Sequence, residues 1–459
     1  MLKIDPKISP AALVPACERL FELSGHKIRL LQRQWDPSRG SPVFTVAGRY
    51  ESRGWTEWTQ GFLYGSAILQ FDATGDASAL AYGREGTRRD MASHVSHVGV
   101  HDHGFNNVST YGNLRRLAVE GRMPADSAEV DFYELALKVS GAVQAARWTR
   151  LPGGLGYVYS FNGPHSLFAD TIRSMRVLGL AHQLGHALMG ERDRRFSLLD
   201  RLLAHAETTA RFNVYLGEGR DHYDVRGRVA HESVFNLNDG SYRCPSTQQG
   251  YSPFSTWTRG LAWILCGYAE QLEFLDTLPE AEFGPRGSKK RVLARFLGIA
   301  EATADFFIAN TPVDGIPYWD TGAPGLARLG RYLERRADPF NEHEPVDSSA
   351  AAIAAQGLVR LGNHLRAAGR RQAGRRYLCA GLTVARTLFG EGYLSAAPEH
   401  QGLILHSVYH RPNGWDHVPK GRKVPCGESS MWGDYHAREL ALLILRMAKG
   451  EPYYAFFIR

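Results

Sequence analysis

Apolar residues recur along most of the chain at three- and four-residue intervals, the spacing that gathers them on one face of a helix. Ala350, Ile353, Ala354, Gly357, Leu358 and Leu361 make one such face, and Trp257, Leu261, Ile264, Leu265, Tyr268 and Leu272 another. Sustained two-residue alternation, the signature of a half-buried strand, is scarce. Its clear occurrence is RVAHESVFNLNDGSYRC at 228–244, where Asn-Asp-Gly predicts the turn of a small β-hairpin.

A longer-range pattern lies over the helical one. A polar or aromatic cluster opens a helix rich in Gly, Ala and Ser, and a charged amphipathic helix follows. Six such openings occur, at Trp58, Asp102, Asp170, Trp257, Asp347 and Trp432. Charged helices are expected between them at 128–147, 192–215, 289–309 and 369–388, with 10–24 as a further one. Small-residue helices suit close packing inside and charged helices suit an outer ring. The pattern predicts an all-α protein, an (α/α)6 barrel of six inner and six outer helices with a β-hairpin insertion, built as a single domain over residues 1–459. Periodicity alone fits an irregular helical bundle equally well; the barrel differs in bringing all six openings to one end.

Composition narrows the function. With 44% hydrophobic and 22% charged residues among 459, the chain reads as an ordinary globular protein with no low-complexity tract. No apolar run is long enough to span a bilayer, so no membrane partner is expected. The start, MLKIDPKISPAALVPACERL, lacks the pattern of a secretory signal, and the five cysteines are odd in number, scattered and never in a Cys-x-x-Cys pair. Both features suit a reducing cytoplasm. The net charge of +7 comes from clusters such as GSKKR and GRRQAGRR beside helical segments, where a solvated face explains them, so nucleic acid is not expected as a partner.

The stretch STQQGYSPFSTWTRGLAWILCGYAEQL at 246–272 resembles the unsaturated glucuronyl hydrolases, whose motif runs His-Gln-Gly, a spacer, then Ser-Thr-Trp-(Ala/Thr)-Arg-Gly-Gln-Ala-Trp. HDHGF at 101–105, DGIPYWD at 314–320, DSSAAAIAAQGLVRL at 347–361 and MWGDYH at 431–436 match further motifs in the family's order. The motif-bearing part runs from about residue 50 to the end. Departures occur at Leu261, His103 and Gln248, and 398–430 is an extended section. The resemblance implies an (α/α)6 barrel that removes a 4,5-unsaturated uronic acid from the non-reducing end of oligosaccharides left by polysaccharide lyases. It implies no metal and no cofactor. An unsaturated rhamnogalacturonyl hydrolase shares the barrel and the chemistry; a sugar epimerase, a lyase or a non-catalytic oligosaccharide-binding barrel are the other readings of such a fold.

That reaction is a hydration: a proton to C4, water to C5, and collapse of the resulting hemiketal. It needs a carboxyl able to give and then take a proton near neutral pH. Asp170 aligns with the family's general acid/base. An Asp before a helical run is also what an N-cap looks like, and a helix N-terminus lowers a carboxyl pKa. A second carboxylate nearby would raise it, and Asp102 is expected to play that part. His231, Gln249, Arg259, Trp58, Trp257 and Trp263 align with substrate-contacting positions, Arg259 as a bidentate partner for the uronate carboxylate and the tryptophans as sugar-stacking faces. Four histidines at 94, 97, 101 and 103 lack the spacing that pairs metal ligands with a base, so no metal site is expected there.

Overall fold

The computed structural model describes residues 1–54, 57–284 and 287–457. Twelve helices carry the architecture. The outer six are α1 (Val14–Gln34), α3 (Ala77–Asp90), α5 (Ser127–Ala146), α7 (Leu198–Phe212), α9 (Lys289–Ala309) and α11 (Arg371–Leu388). The inner six begin with α2 (Gln60–Thr74). Next is α4, composed of His103–Asn107, a π-helical turn Val108–Gly112 and Asn113–Val119, and then α6, composed of Thr171–Ser174 and Arg176–Gln183. The ring is completed by α8 (Thr258–Asp276), α10 (Ser348–Ala367) and α12 (Met431–Lys449). Each inner helix packs on the next and α12 packs back on α2, which closes the ring; this is an (α/α)6 barrel.

Every inner helix starts within two residues of one of the six openings read from the sequence. The outer helices fit less closely. Helix α7 begins at Leu198 rather than 192, because Ala187–Met189 and Arg195–Ser197 pair as a hairpin whose turn holds Arg192 and Asp193 at φ of 58° and 57°. Helix α1 extends to Gln34, and α3 was not predicted, since its exposed face is broad and its apolar positions are few. The hairpin near 228–244 is present as Glu232–Phe235 paired antiparallel with Tyr242–Ser246, and Ser166–Phe168 joins it as a third strand.

Close approach explains the small residues of the inner ring. A Cβ on Gly104 would lie 2.1 Å from the Ser174 carbonyl oxygen, and one on Gly61 would lie 2.3 Å from that of Asn106. Gly267 meets α6, Gly357 meets α8, Gly433 meets α10 and Gly65 meets α12 in the same manner. One glycine thus stands at each of the six seams, against the neighbouring backbone at Gly61, Gly104, Gly267 and Gly357 and against the side chains of Tyr435 and Ser349 at Gly65 and Gly433.

Beneath the end that bears the openings, the barrel axis is filled with charge. Arg173, Arg176 and Arg360 interleave with Glu270, Glu273 and Glu439, all buried. Arg173 reaches Glu270 at 2.6 Å and Arg360 reaches Glu273 at 2.7 Å. The Tyr435 and Tyr454 hydroxyls donate to Glu439, and Tyr453 donates to Glu273. Three positive charges face three negative ones, so the cluster is neutral, and the arginines hold the Glu439 carboxyl far below its usual range against the effect of burial. Removing one member leaves an uncompensated buried charge. Glu439→Ala is therefore expected to cost about 3–5 kcal/mol, read as a fall in the urea midpoint.

Candidate active site

The openings of the inner helices converge on a cavity of about 290 Å³ at one end of the barrel. Its lining includes Trp58 ahead of α2, His101 and Asp102 ahead of α4, Asp170 ahead of α6, and Trp257, Arg259 and Trp263 on and before α8. Gln249 and Gln248 come from the loop after the three-stranded sheet, and Tyr409, His410 and Trp415 from the extended section.

Both aspartates occupy N-cap positions, yet neither side chain caps its helix. Asp347, at the equivalent place before α10, accepts from the Ser349 and Ala350 amides as an ordinary cap does. The contrast resolves the ambiguity left by the sequence: Asp102 and Asp170 are placed at helix starts but are free for chemistry. His101 stands between them, Nε2 3.7 Å from Asp102 and 3.5 Å from Asp170. Asp170 Oδ1 and His101 Nδ1 are buried without a hydrogen-bond partner.

The two carboxyls sit in different fields. Burial pushes the Asp102 carboxyl up, and the Asp170 charge adds to this against the pull of His101. Burial also works to raise Asp170, but the nearby His101 ring and the charges of His231 and Arg259 outweigh it and hold the carboxyl below its usual range. For His101 burial favours the neutral ring, and the two aspartates reverse that, so its pKa is raised. This corrects the expectation that Asp102 lifts Asp170: the raised carboxyl is Asp102, because His101, His231 and Arg259 together outweigh the burial of Asp170.

The local fold explains the placement. Ser166–Phe168 pairs with Glu232–Phe235, and the Ala169 amide donates to the His231 carbonyl at 2.8 Å, so the sheet delivers Asp170 beside His231. His231 itself is not part of the cavity surface. Its ring packs between Phe168 and Trp257, and Nδ1 accepts from the Gln248 amide at 3.0 Å, so it props the glutamine loop from behind. Burial pushes its pKa down, against the pull of Asp170. Asp320, of the DGIPYWD motif, holds the same loop by accepting from the Tyr251 amide at 2.9 Å, and burial pushes its carboxyl up to about 6.

Arg259 lines the cavity but does not present an open fork. One terminal nitrogen donates to Asp347 and the Val408 carbonyl, the other to Gln249 at 2.9 Å and the Tyr409 carbonyl at 2.7 Å. The guanidinium also lies between the Trp257 and Trp432 rings. The bidentate role expected from the sequence is thus taken by protein groups, and Arg259 ties the extended section and Gln249 to the cavity wall. Trp58 stacks on Trp432 at 5.1 Å, and Trp263 packs against Phe105 at the base. Trp319 is buried elsewhere, donating to Glu344.

Sequence reasoning missed Phe161, Tyr409, His410 and Trp415, all on irregular segments without periodicity. His101 carried a visible signal, being flanked by the acid of the HDHGF motif, but was weighed only as a metal ligand. Its neighbours are engaged locally: His103 bonds Ser140 and the His97 carbonyl, and His94 bonds Asn106.

A closed ring of paired helices with an acidic, aromatic-walled cavity at one end defines the class: an (α/α)6-barrel protein with a saccharide-type pocket. No family model matches the chain. It is 27% identical over 406 residues to the unsaturated glucuronyl hydrolase of Bacillus sp. strain GL1, covering 87% of this chain and 89% of the relative. It is 25% identical over 385 residues to that of Formosa agariphila, covering 83% and 78%. A crystal structure of unsaturated glucuronyl hydrolase from Bacillus sp. GL1 shares the fold, with a TM-score of 0.68, 24% identity, and 95% and 97% of the two chains covered. The chain is thus similar in sequence and in fold to the unsaturated glucuronyl hydrolases, the family its ordered motifs resemble.

Exchanging Arg259 for Lys removes the fork that joins four partners. Arg259→Lys is expected to lower the melting temperature and to speed amide exchange across 408–416, measured by hydrogen–deuterium exchange.

Proposed function

We propose that the protein is a glycoside hydrolase that removes a 4,5-unsaturated uronic acid from the non-reducing end of lyase-generated oligosaccharides, with Asp102 and Asp170 as its catalytic pair. The observation that carries this reading is the pair itself: two carboxyls at helix starts, neither spent on capping, joined through His101 at the wall of an aromatic cavity. Hydration of an enol ether asks for that arrangement. A carboxyl gives a proton to C4, water adds to C5, and the carboxylate takes the water's proton. The hemiketal at C5 then opens, and the hemiacetal left at C1 expels the shortened sugar chain.

The aromatic faces of Trp58, Trp257 and Trp263 suit the C–H surface of a sugar ring, and Gln249, fixed by Arg259, suits its hydroxyls. The whole chain works as one catalytic unit, since the cavity draws on segments from Trp58 to Trp415. All five cysteines are free thiols, which fits action in the cytoplasm on short imported oligosaccharides. Among the described residues no helix is long and apolar enough to cross a membrane.

The test is loss of the ultraviolet absorbance of the conjugated uronate when the protein, without added metal, meets a panel of unsaturated disaccharides. Wild type is expected to bleach at least one of them, and Asp170→Asn to be slower by about 10²–10⁴-fold. Intact absorbance on every disaccharide with folded wild-type protein would overturn the reading.

A further inference from the structure

We propose that His101 is a positioning residue that stores the reactive proton between the two carboxyls and passes it to Asp170 when an anionic sugar fills the cavity. This deepens the hydrolase reading and rests on it. The geometry is a shared one. A single ring nitrogen, Nε2, lies 3.7 Å from Asp102 and 3.5 Å from Asp170, so it can serve either carboxyl with little movement. The ring is fixed by a near-parallel contact with Phe161 and an edge contact with Phe168, both at 5.6 Å. Its Nδ1 is buried and unpartnered, so no backbone carbonyl commits the ring to one tautomer.

The charged groups around the ring single it out as the proton store. Asp102 and Asp170 favour its cation, while Arg147, His205 and His231 oppose it. Arg147 spends its guanidinium on the Val98, Tyr159 and Ser160 carbonyls. His205 is committed as an acceptor, its Nδ1 taking the Val158 amide, and His231 accepts from Gln248. Burial pushes the His205 ring down to about 3 and the His231 ring below its ordinary range. Of the three histidines that share a field with Asp170, His101 is the one whose pKa its neighbours raise.

Exposure supplies the trigger. The Asp170 side chain keeps 11% of its surface open, whereas His101 keeps 1%. A sugar entering the cavity dries Asp170 and sets its own carboxylate near it, while His101 has almost no water left to lose. Both changes disfavour the charged form of Asp170. The proton then moves from His101 Nε2 to Asp170, leaving a neutral imidazole and a neutral acid. Asp170 gives that proton to C4 and takes one back from the water that adds to C5. When product leaves, Asp170 is hydrated again and the proton returns to Nε2. One water is consumed and no other group changes its proton count.

The experiment compares wild type with His101→Gln and His101→Asn in the absorbance assay across pH, beside an NMR titration of the assigned His101 ring in unliganded wild-type protein. The variants are expected to lose at least about 10-fold in kcat with KM changed by less than about threefold. The alkaline limb of kcat/KM should move down by about one pH unit or more, towards the range of a carboxyl pair. The ring should titrate above the ordinary histidine range in wild type. A uniform loss of rate with both limbs unmoved would assign His101 a merely structural part and overturn the proposal. A ring already neutral at pH 7 in the free protein would overturn it as well, whether or not the variants fold. Inactivity of wild type on all substrates would instead strike the hydrolase reading, and the titration, which needs no turnover, would still decide where the proton rests.

Discussion

Close approach at the six glycine-bearing seams of the inner ring, backbone against backbone at four of them, is the constraint on which the molecule depends. At Gly104 and Gly61 the neighbouring carbonyls come so near that a methyl group has no room, and a ring closed this tightly leaves a narrow axis. A narrow axis cannot hold a broad hydrophobic core. It is filled instead by long side chains whose charged ends meet, Arg173, Arg176 and Arg360 with Glu270, Glu273 and Glu439. Buried ions of this kind are costly unless paired and hydrogen-bonded; tyrosines near the C-terminus donate to Glu273 and Glu439, and Glu270 is held by its ion pairs to the arginines.

The same closure determines what the helix starts can do. With the lower axis blocked, the inner helices open at the end that bears the cavity, and four of their N-cap residues divide into two kinds. Asp347 and Ser430 satisfy the amides of their helices and serve structure. Asp102 and Asp170 leave those amides alone and turn their carboxyls to each other's neighbourhood through His101. Two carboxyls are thus left uncommitted at the wall of the cavity.

Much of this was legible in the sequence, and for identifiable reasons. The inner helices announced themselves because their small-residue runs and polar openings recur, and because Trp257, Arg259 and their neighbours keep a recognisable order. The hairpin was legible from its Asn-Asp-Gly turn, although its third strand, Ser166–Phe168, is too short to show a period. Charge partition was not legible. The motif presents Asp102 beside Asp170 as a like-charge pair, and only the fold reveals that His101 lies between them and that Arg259 is already bound by Val408, Tyr409 and Gln249. Tyr409, His410 and Trp415 were hidden for another reason. Their segment is held by distant groups, with Asp434 accepting from the Leu403 and Ile404 amides and Ser348 donating to the His406 carbonyl, and such anchors leave no periodic trace.

The ionic plug also makes the barrel a blind vessel. Below Phe105 and Trp263 the axis continues into His436 and the arginine–glutamate cluster, so it offers no rear passage. Whatever the cavity accepts must withdraw by the mouth it came through. A long chain cannot be threaded and clipped in succession; it has to let go after each unit and dock again by its new end. The architecture therefore suits partners that present an end to the cavity, past the aromatic residues of its wall.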